Sequence, residues 1–566
     1  FSNWVDNNGN KLTIYDPNTT RPNPNGAGFI RDPFPGNIIP QDRFSNFAKA
    51  VINAAGGVGV PNNGAAPGTS AYVRNNFINS KGTFIEPWTK FSVKIDHAFT
   101  DNSKVNFLYN YGLHERQPGA SGPPGLPGIL TTFRFANQKS DVYRGAHTWV
   151  IKPTVVNNAY GGINFWKEKN GSVNATGGWK AKGVCLVNTF DCDPNFVQVQ
   201  FSDYNTWGDS AGDGSENFVF SFGDDLTVIK GKHNFKMGYL YERIHYNGWG
   251  RQSMSGLIRG DRLSTSIPGN NTLATGGGNG FASFLLGEAY SGGTENDRFV
   301  GQQWRSHSMY FQDDWKITPK LTLNLGVRYE FTLPPIEQKD KWSDFTPNKP
   351  NPGADGRLGA LRFAGFGPGR ENSRTLVGGW YGGIGPRFGM AYSLNDKTVI
   401  RASAARSFGV VRTVTGSTHF EGAITIFRPT STDNGITSAF KLDTGLPPFP
   451  APPSINPAFS NGNSTAYWND EAVRLPESYD WTFSIQRQLS SSLIFETSYN
   501  ATVGAHLVSG LLRMNQVPFS AFQRYGLSVL QSNIDSATAQ AAGIPRPYAS
   551  FSGPTATVAQ SLRPYP

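Results

Sequence analysis

A chain of 566 residues is long enough for several soluble domains or for one large barrel. Only 16% of its residues are charged, against about a quarter in an ordinary soluble domain, while Gly (65), Phe (40) and Tyr (21) abound. Mean hydropathy is −0.40 and no apolar run nears the roughly 18 residues of a membrane helix; the formal charge of +10 is scattered rather than gathered into a basic stripe, which excludes nucleic acid as a partner.

In chain order, the first regular pattern is "FSVKIDHAF", a "TDNS" turn and "KVNFLYNYG". Phe91, Val93, Ile95 and Phe99 share one face, and Val105, Phe107, Tyr109 and Tyr111 continue it beyond the turn. Alternation with period two is the mark of a strand with one apolar side. "RGAHTWVIKPTVVNNAYGGINFW" repeats the pattern about Lys152-Pro153-Thr154. "FVFSFGDDLTVIKGKHNFKMGYLYE" does so about Lys230-Gly231-Lys232, with Phe235, Met237, Tyr239 and Tyr241 aligned. In "FQDDWKITPKLTLNLGVRYEF", residues 311–331, Leu321, Leu323, Leu325, Val327, Tyr329 and Phe331 oppose Thr322, Asn324, Gly326, Arg328 and Glu330. "GPRFGMAYSLNDKTVIRASAARSF" turns at Asn395-Asp396-Lys397, and "WTFSIQRQLSSSLIFETSY" near Ser490-Ser491. Six hairpins predict about a dozen antiparallel strands.

The apolar faces are expected to look into lipid. The run from Leu321 alternates for about eleven residues, the length of a tilted strand crossing a bilayer, where soluble strands usually manage about five or six. Turns are short at one end, while connections of roughly 30 to 70 residues rich in Gly, Pro, Asn and Ser separate the hairpins, the asymmetry of an outer-membrane barrel. Trp149, Trp315, Tyr392, Phe235 and Phe495 lie near the short turns, and Tyr111, Trp166, Tyr241, Phe331 and Tyr499 near the opposite strand ends. Two such bands match the two membrane interfaces. The alternation therefore predicts an all-β fold, an antiparallel transmembrane β-barrel with long extracellular loops. Lys94, Asp96, Arg328, Glu330, Arg387 and Arg401 fall on the opposite faces and are expected in a polar lumen, Arg328 paired with Glu330. His97, Asp224, Asp313 and Arg487 interrupt the apolar faces. Arg406 shares one with Ile400, Ala402 and Phe408, where a mid-membrane arginine costs about 2–4 kcal/mol; a bulge in that strand would remove the conflict.

Cys185 and Cys192 enclose "LVNTFD" in a polar stretch with no histidine nearby in sequence. A loop disulfide in an oxidising compartment is expected, rather than half of a metal site. No G-x-S-x-G, H-E-x-x-H or P-loop occurs; "GFGPGR" (365–370) and "GGGNG" (276–280) read as loops, and adjacent Asp313 and Asp314 point to opposite faces. No catalytic residues, metal site or cofactor are expected, and the chain does not read as an enzyme. Extracellular ligand contacts are expected from loop aromatics: Trp179, Trp207, Tyr246, Trp249, Trp380 and Trp468. The alternative for these rings is packing of loop against loop.

"YFQDDWKITPKLTLNLGVRYEF" resembles the barrel hairpin of TonB-dependent outer-membrane receptors. "IYDPNTTRPNPNGAGFIRDPFPGNIIPQDR" (14–43), "FASFLLG" (281–287), "GPRFGMAYSLNDKTVIRASAARSFG" (385–409), "YDWTFSIQRQL" and "SYNATVGAHL" are similar to the Oar-type branch, which carries a carboxypeptidase-regulatory-like domain before the plug. The resemblance implies a barrel of about 22 strands in the outer membrane that imports a bulky nutrient, a glycan, peptide or metal chelate. Import would be powered by the TonB complex through an N-terminal region. No plug or TonB box is read in this sequence, and it begins at Phe1 with no initiator Met or signal-like stretch. Residues 1–566 are thus expected to be a partial barrel domain. The other readings are a non-transporting surface protein or adhesin on the same barrel, and a secreted glycan-binding β protein.

Overall fold

The computed structural model describes residues 1–566 apart from 58–60, 80, 176, 194, 210, 252, 297, 410–421, 424, 425, 450, 451, 453, 460, 462–473, 508–514 and 553–555. Among the described residues twelve long strands follow one another: β1 (Trp88–Thr100), β2 (Ser103–Pro118), β3 (Arg134–Lys152), β4 (Val155–Ser172), β5 (Gly212–Lys230), β6 (His233–Arg251), β7 (Arg298–Thr318), β8 (Leu321–Glu337), β9 (Ile384–Asn395), β10 (Thr398–Phe408), β11 (Glu477–Ser490) and β12 (Leu493–Ala505). Each pairs antiparallel with its neighbours in sequence. The sheet counts 13 strands because Phe84–Ile85 pairs with β2 beyond the end of β1. Among the described residues β1 and β12 do not pair with each other, so the sheet has two edges.

All six hairpins close through two-residue turns: Asp101-Asn102, Pro153-Thr154, Gly231-Lys232, Pro319-Lys320, Asp396-Lys397 and Ser491-Ser492. Gly231 takes φ 61°, a conformation that a side chain resists. Because the strands alternate in direction, these turns lie at one end, and segments 119–133, 173–211, 252–297, 338–383 and 409–476 all lie at the other. The strands outrun the sequence pattern: β8 has 17 residues and β7 has 21. About ten residues cross a bilayer, so the excess continues pairing beyond it and carries the loops.

The register fixes the faces, because directly paired residues point the same way. Phe235 pairs with Asp313, Phe311 with Val327, Val327 with Pro386 and Ala402 with Phe483, which joins the apolar faces of neighbouring strands into one surface. Phe311 is 44% exposed there, as a lipid-facing ring should be. Two of the four expected interruptions pair sideways: His233 Nδ1 lies 2.7 Å from Asp313 Oδ2, and the Asn157 amide donates to Asp224. One expectation needs correction. Trp166 is on the polar face, since its neighbour Phe165 pairs with Asp141 and Phe218 on the apolar one. Arg406 requires no bulge; the β10–β11 register runs unbroken from Thr398 to Phe408 and leaves Arg406 at the long-loop rim.

The described parts of the long connections pack against one another. Helix α1 (Asn46–Ala54) buries Phe47, Ala48 and Val51 against Leu130, Trp179, Phe196, Ile258, Phe284 and Leu442, which come from four different loops. Fully burying one such side chain stabilises by roughly 1.5–3 kcal/mol. Asp443 ties the start of α1 across to the β10–β11 segment, accepting from the Ser45 hydroxyl (2.7 Å) and the Phe47 N–H (2.9 Å). Arg31, 6% exposed, donates to the carbonyls of Ser264 (2.9 Å), Ser266 (3.1 Å), Gly435 (3.0 Å) and Ile436 (2.8 Å), so carbonyl dipoles balance its buried charge. The N-terminal segment thereby belongs to the loop body. Cys185 and Cys192 are disulfide-bonded in segment 173–211, with Cα atoms 5.3 Å apart.

Candidate functional site

A cleft of about 1000 Å³ opens in the loop body between the N-terminal segment, residues 72–78 and residues 201–207. Aromatic rings form its wall. Trp207 is held by paired backbone hydrogen bonds to Val199 (2.8 and 2.9 Å) and packs edge-on against Phe201 at 5.0 Å. Phe281 lies 5.5 Å from Trp207, and Tyr204 lies 6.0 Å from Trp4. Phe281 stands at the start of a short helix, Gly280–Leu285, whose N-cap Asn279 accepts from the Phe281 and Ala282 N–H groups. The Asn279 amide also donates to the Tyr204 hydroxyl at 2.9 Å. Burial pushes the Tyr204 phenol up to about 12, so it stays protonated.

Charged groups of both signs share this cleft. The Arg74 guanidinium lies 4.6 Å over the Trp4 ring and donates through Nη1 to Asn7 Oδ1 at 2.8 Å. Its Nε and Nη2 are shielded and make no hydrogen bond within the protein. Asp203 lines the cleft and accepts through Oδ2 from the Ser202 hydroxyl (2.8 Å) and the Gly280 N–H (2.9 Å). Such a surface suits a ligand with flat apolar faces and hydroxyl or amide edges, because rings bury area at little entropic cost while polar groups fix orientation.

Of the expected ligand aromatics among the described residues, only Trp207 lines this cleft. Trp179 is 1% exposed against Phe196 and Lys182, so its ring serves the loop core. Trp249 borders a second cleft of about 670 Å³ with Phe135 and Lys169. Tyr246 stands within β6 on the polar face, paired to Gln302. Trp380 packs against Phe408 at 5.7 Å and under the Arg474 guanidinium at 5.9 Å. Trp468 lies outside the described residues. Trp4, Tyr204, Phe201 and Phe281 were not anticipated; "FSDYNTW" (201–207) is dense in rings, but its nearness to "FSNW" (1–4) is a tertiary fact.

The expected lumen residues all stand on the polar face. Lys94 Nζ lies 2.9 Å from Asp96 Oδ2, Arg328 Nε 3.0 Å from Glu330 Oε2, and Arg401 Nη1 donates to Gln486 Oε1 at 2.8 Å. Arg387 lies opposite Gly326 on that face. Among the described residues no three His, Cys, Asp or Glu side chains gather as a metal site would require.

The family model described as an outer membrane beta barrel domain matches residues 1–566. The chain belongs to that family. The apolar face of this barrel domain therefore lies in the lipid of an outer membrane, with the loop body at one rim. Solved structures similar to the barrel domain include the outer membrane transporter YddB from Escherichia coli, at 10% identity and a TM-score of 0.38, covering 74% of this chain and 40% of that one. The ferripyoverdine receptor of the outer membrane of Pseudomonas aeruginosa matches at 10% identity and a TM-score of 0.35, over 74% and 42% of the two chains. The ferric citrate transporter FecA, unliganded, matches at 11% and 0.33, over 74% and 43%. The barrel domain thus spans about two-fifths of the length of these transporters. Comparison with curated proteins gives no match.

Proposed function

We propose that this barrel domain is part of a TonB-dependent receptor of the Oar type, which captures a bulky nutrient on its external loops and imports it. The cleft carries the reading: an aromatic opening of about 1000 Å³ with charges of both signs sits in a packed loop body above a sheet with a polar face. Trp207 is the ring that meets the ligand, with Trp249 and Trp380 at secondary positions. Lys94, Asp96, Arg328, Glu330, Arg387 and Arg401 would line the lumen. In this reading the twelve strands are a portion of a roughly 22-stranded barrel, and the edges at β1 and β12 pair with strands from outside residues 1–566. Left open in hydrocarbon, their N–H and C=O groups would cost several kcal/mol each. The plug and the TonB box would also come from outside this segment.

Cells with the receptor, without it, and without TonB can be given a defined mixture of oligosaccharides, peptides and metal chelates. Mass spectrometry of the medium should show one class depleted only when receptor and TonB are both present. Identical depletion in the three strains would reject import and leave a surface protein or adhesin.

A further inference from the structure

The apolar face of the sheet carries several cations near its long-loop rim, and the register shows how each is balanced. Lys139 pairs directly with Lys167, and each has a carboxylate beside it: Asp141 Oδ2 lies 3.0 Å from Lys139, and Glu216 contacts Lys167. Arg406 has Glu477. Lys169 lies over the Phe135 ring at 6.0 Å, whereas Arg243 and Arg305 have no carboxylate beside them among the described residues. They are direct partners across β6 and β7 and point outward with Tyr241 and His307. Their outward neighbours across the flanking ladders are Phe220 and Leu333, and the next outward position along β7 is Gln303. Arg243 donates from Nε to His245 Nε2 at 2.7 Å and from Nη2 to Gln303 Oε1 at 3.4 Å, both uncharged acceptors. Among the described residues, Arg305 has no ion pair or side-chain hydrogen bond.

Like charges directly opposed across a ladder are destabilising, and among the described residues no carboxylate offsets them. Their height supplies the missing term. Arg243 is about ten residues along β6 from the Gly231-Lys232 turn, and about ten tilted residues span the hydrocarbon. The pair therefore stands just above the Tyr241–Phe331 aromatic band, where the outer leaflet places its headgroups.

We propose that Arg243 and Arg305 form a binding site for a phosphate-bearing lipid headgroup of the outer leaflet, with the acyl chains lying along the apolar face below. Two guanidinium forks on adjacent strands can share one phosphate, each through charge-assisted hydrogen bonds. The anion converts a repulsive pair into a bridged one. The site is independent of import, since it faces away from the lumen and from the cleft.

The test uses the purified full-length protein in maltoside detergent, titrated with bisphosphorylated lipid A, with dephosphorylated lipid A of the same acyl chains, and with inorganic phosphate. Native mass spectrometry reads retained lipid, and thermal unfolding reads stability. Wild-type protein should retain the phosphorylated lipid at roughly tenfold lower concentration than its dephosphorylated form. Arg243→Gln/Arg305→Gln should lose that preference while unfolding no earlier than wild type in lipid-free detergent, because the repulsion has gone. Equal retention of the two lipids, an unchanged preference in the double variant, or equal stabilisation by inorganic phosphate would each overturn the lipid site.

Discussion

Arg406 Nη2 lies 2.7 Å from Glu477 Oε2, at the rim where β10 and β11 leave the membrane. The Glu477 side chain is only 1% exposed, and its carboxylate also accepts from the Tyr479 hydroxyl at 2.8 Å and lies 3.1 Å from His506 Nδ1. The Arg406 guanidinium in turn covers the Phe408 ring at 4.8 Å. An arginine on an apolar face is tolerated here because it is interfacial and neutralised, so the strand keeps its register. Glu477→Ala would leave Arg406 and His506 around an empty centre. Loss of about 2–4 kcal/mol is expected, between the limits for exposed and buried pairs. Urea unfolding in detergent should show an earlier midpoint; an unchanged midpoint would refute the role assigned to Glu477.

Phe311 and Gln312 are adjacent and face lipid and lumen respectively, which makes them a matched probe of the faces. Phe311→Arg should cost about 2–4 kcal/mol near the bilayer midplane, whereas Gln312→Arg should be tolerated. The fraction of heat-modifiable, membrane-assembled protein measures both. Equal assembly of the two variants would mean that the inside–outside assignment of β7 is wrong.

The two-residue turns should be periplasmic and the loop body extracellular. In intact cells an impermeant maleimide should label Asn271→Cys, in segment 252–297, but not Lys232→Cys at the β5–β6 turn. The opposite pattern would invert the barrel.

Cys185 and Cys192 close a small ring of sequence separation 7. Without reductant the intact protein should be lighter by the mass of two hydrogens. Cys185→Ser should destabilise segment 173–211 by roughly 2–3 kcal/mol through loop entropy, seen as faster proteolysis there. Ready alkylation of either thiol in native protein would disprove the bridge.

The attachment of α1 should depend on pH. Burial alone would raise the Asp443 carboxyl, but the Phe47 N–H, the Ser45 hydroxyl and the Asn46 N–H outweigh it and hold the group below its ordinary 3.8. A depressed carboxylate stabilises the fold fully above its unfolded value, and that contribution disappears as pH falls through the folded one. Hydrogen-exchange protection of residues 46–54 should therefore be flat at neutral pH and decline in acid below 3.8. Asp443→Asn should have lower protection throughout and no such decline. Identical acid profiles in the two proteins would rule Asp443 out as the titrating group.

The sequence by itself determined the strands, their turns and nearly all of their faces. Alternation and turn chemistry act between residues a few positions apart, so Leu321–Phe331 and Pro319-Lys320 declare a lipid-facing hairpin without help from the rest of the chain. The Cys185–Cys192 ring and the Arg328–Glu330 pair were legible for the same reason. Nearness to a strand end puts Trp166 in the aromatic band, and only the ladders to β3 and β5 show that it faces the polar side. Height in the membrane was also invisible, because period two says which side Arg406 faces but not how far along the sheet it stands. The loop body depended wholly on tertiary structure. Trp179 and Trp207 sit in similar glycine-rich and polar surroundings in sequence; one is buried by α1 and Phe196, and the other borders a cleft completed by Trp4 and Arg74 from the far N-terminal segment. Those contacts join residues far apart in the chain, where no local periodicity operates and burial alone assigns each ring its place.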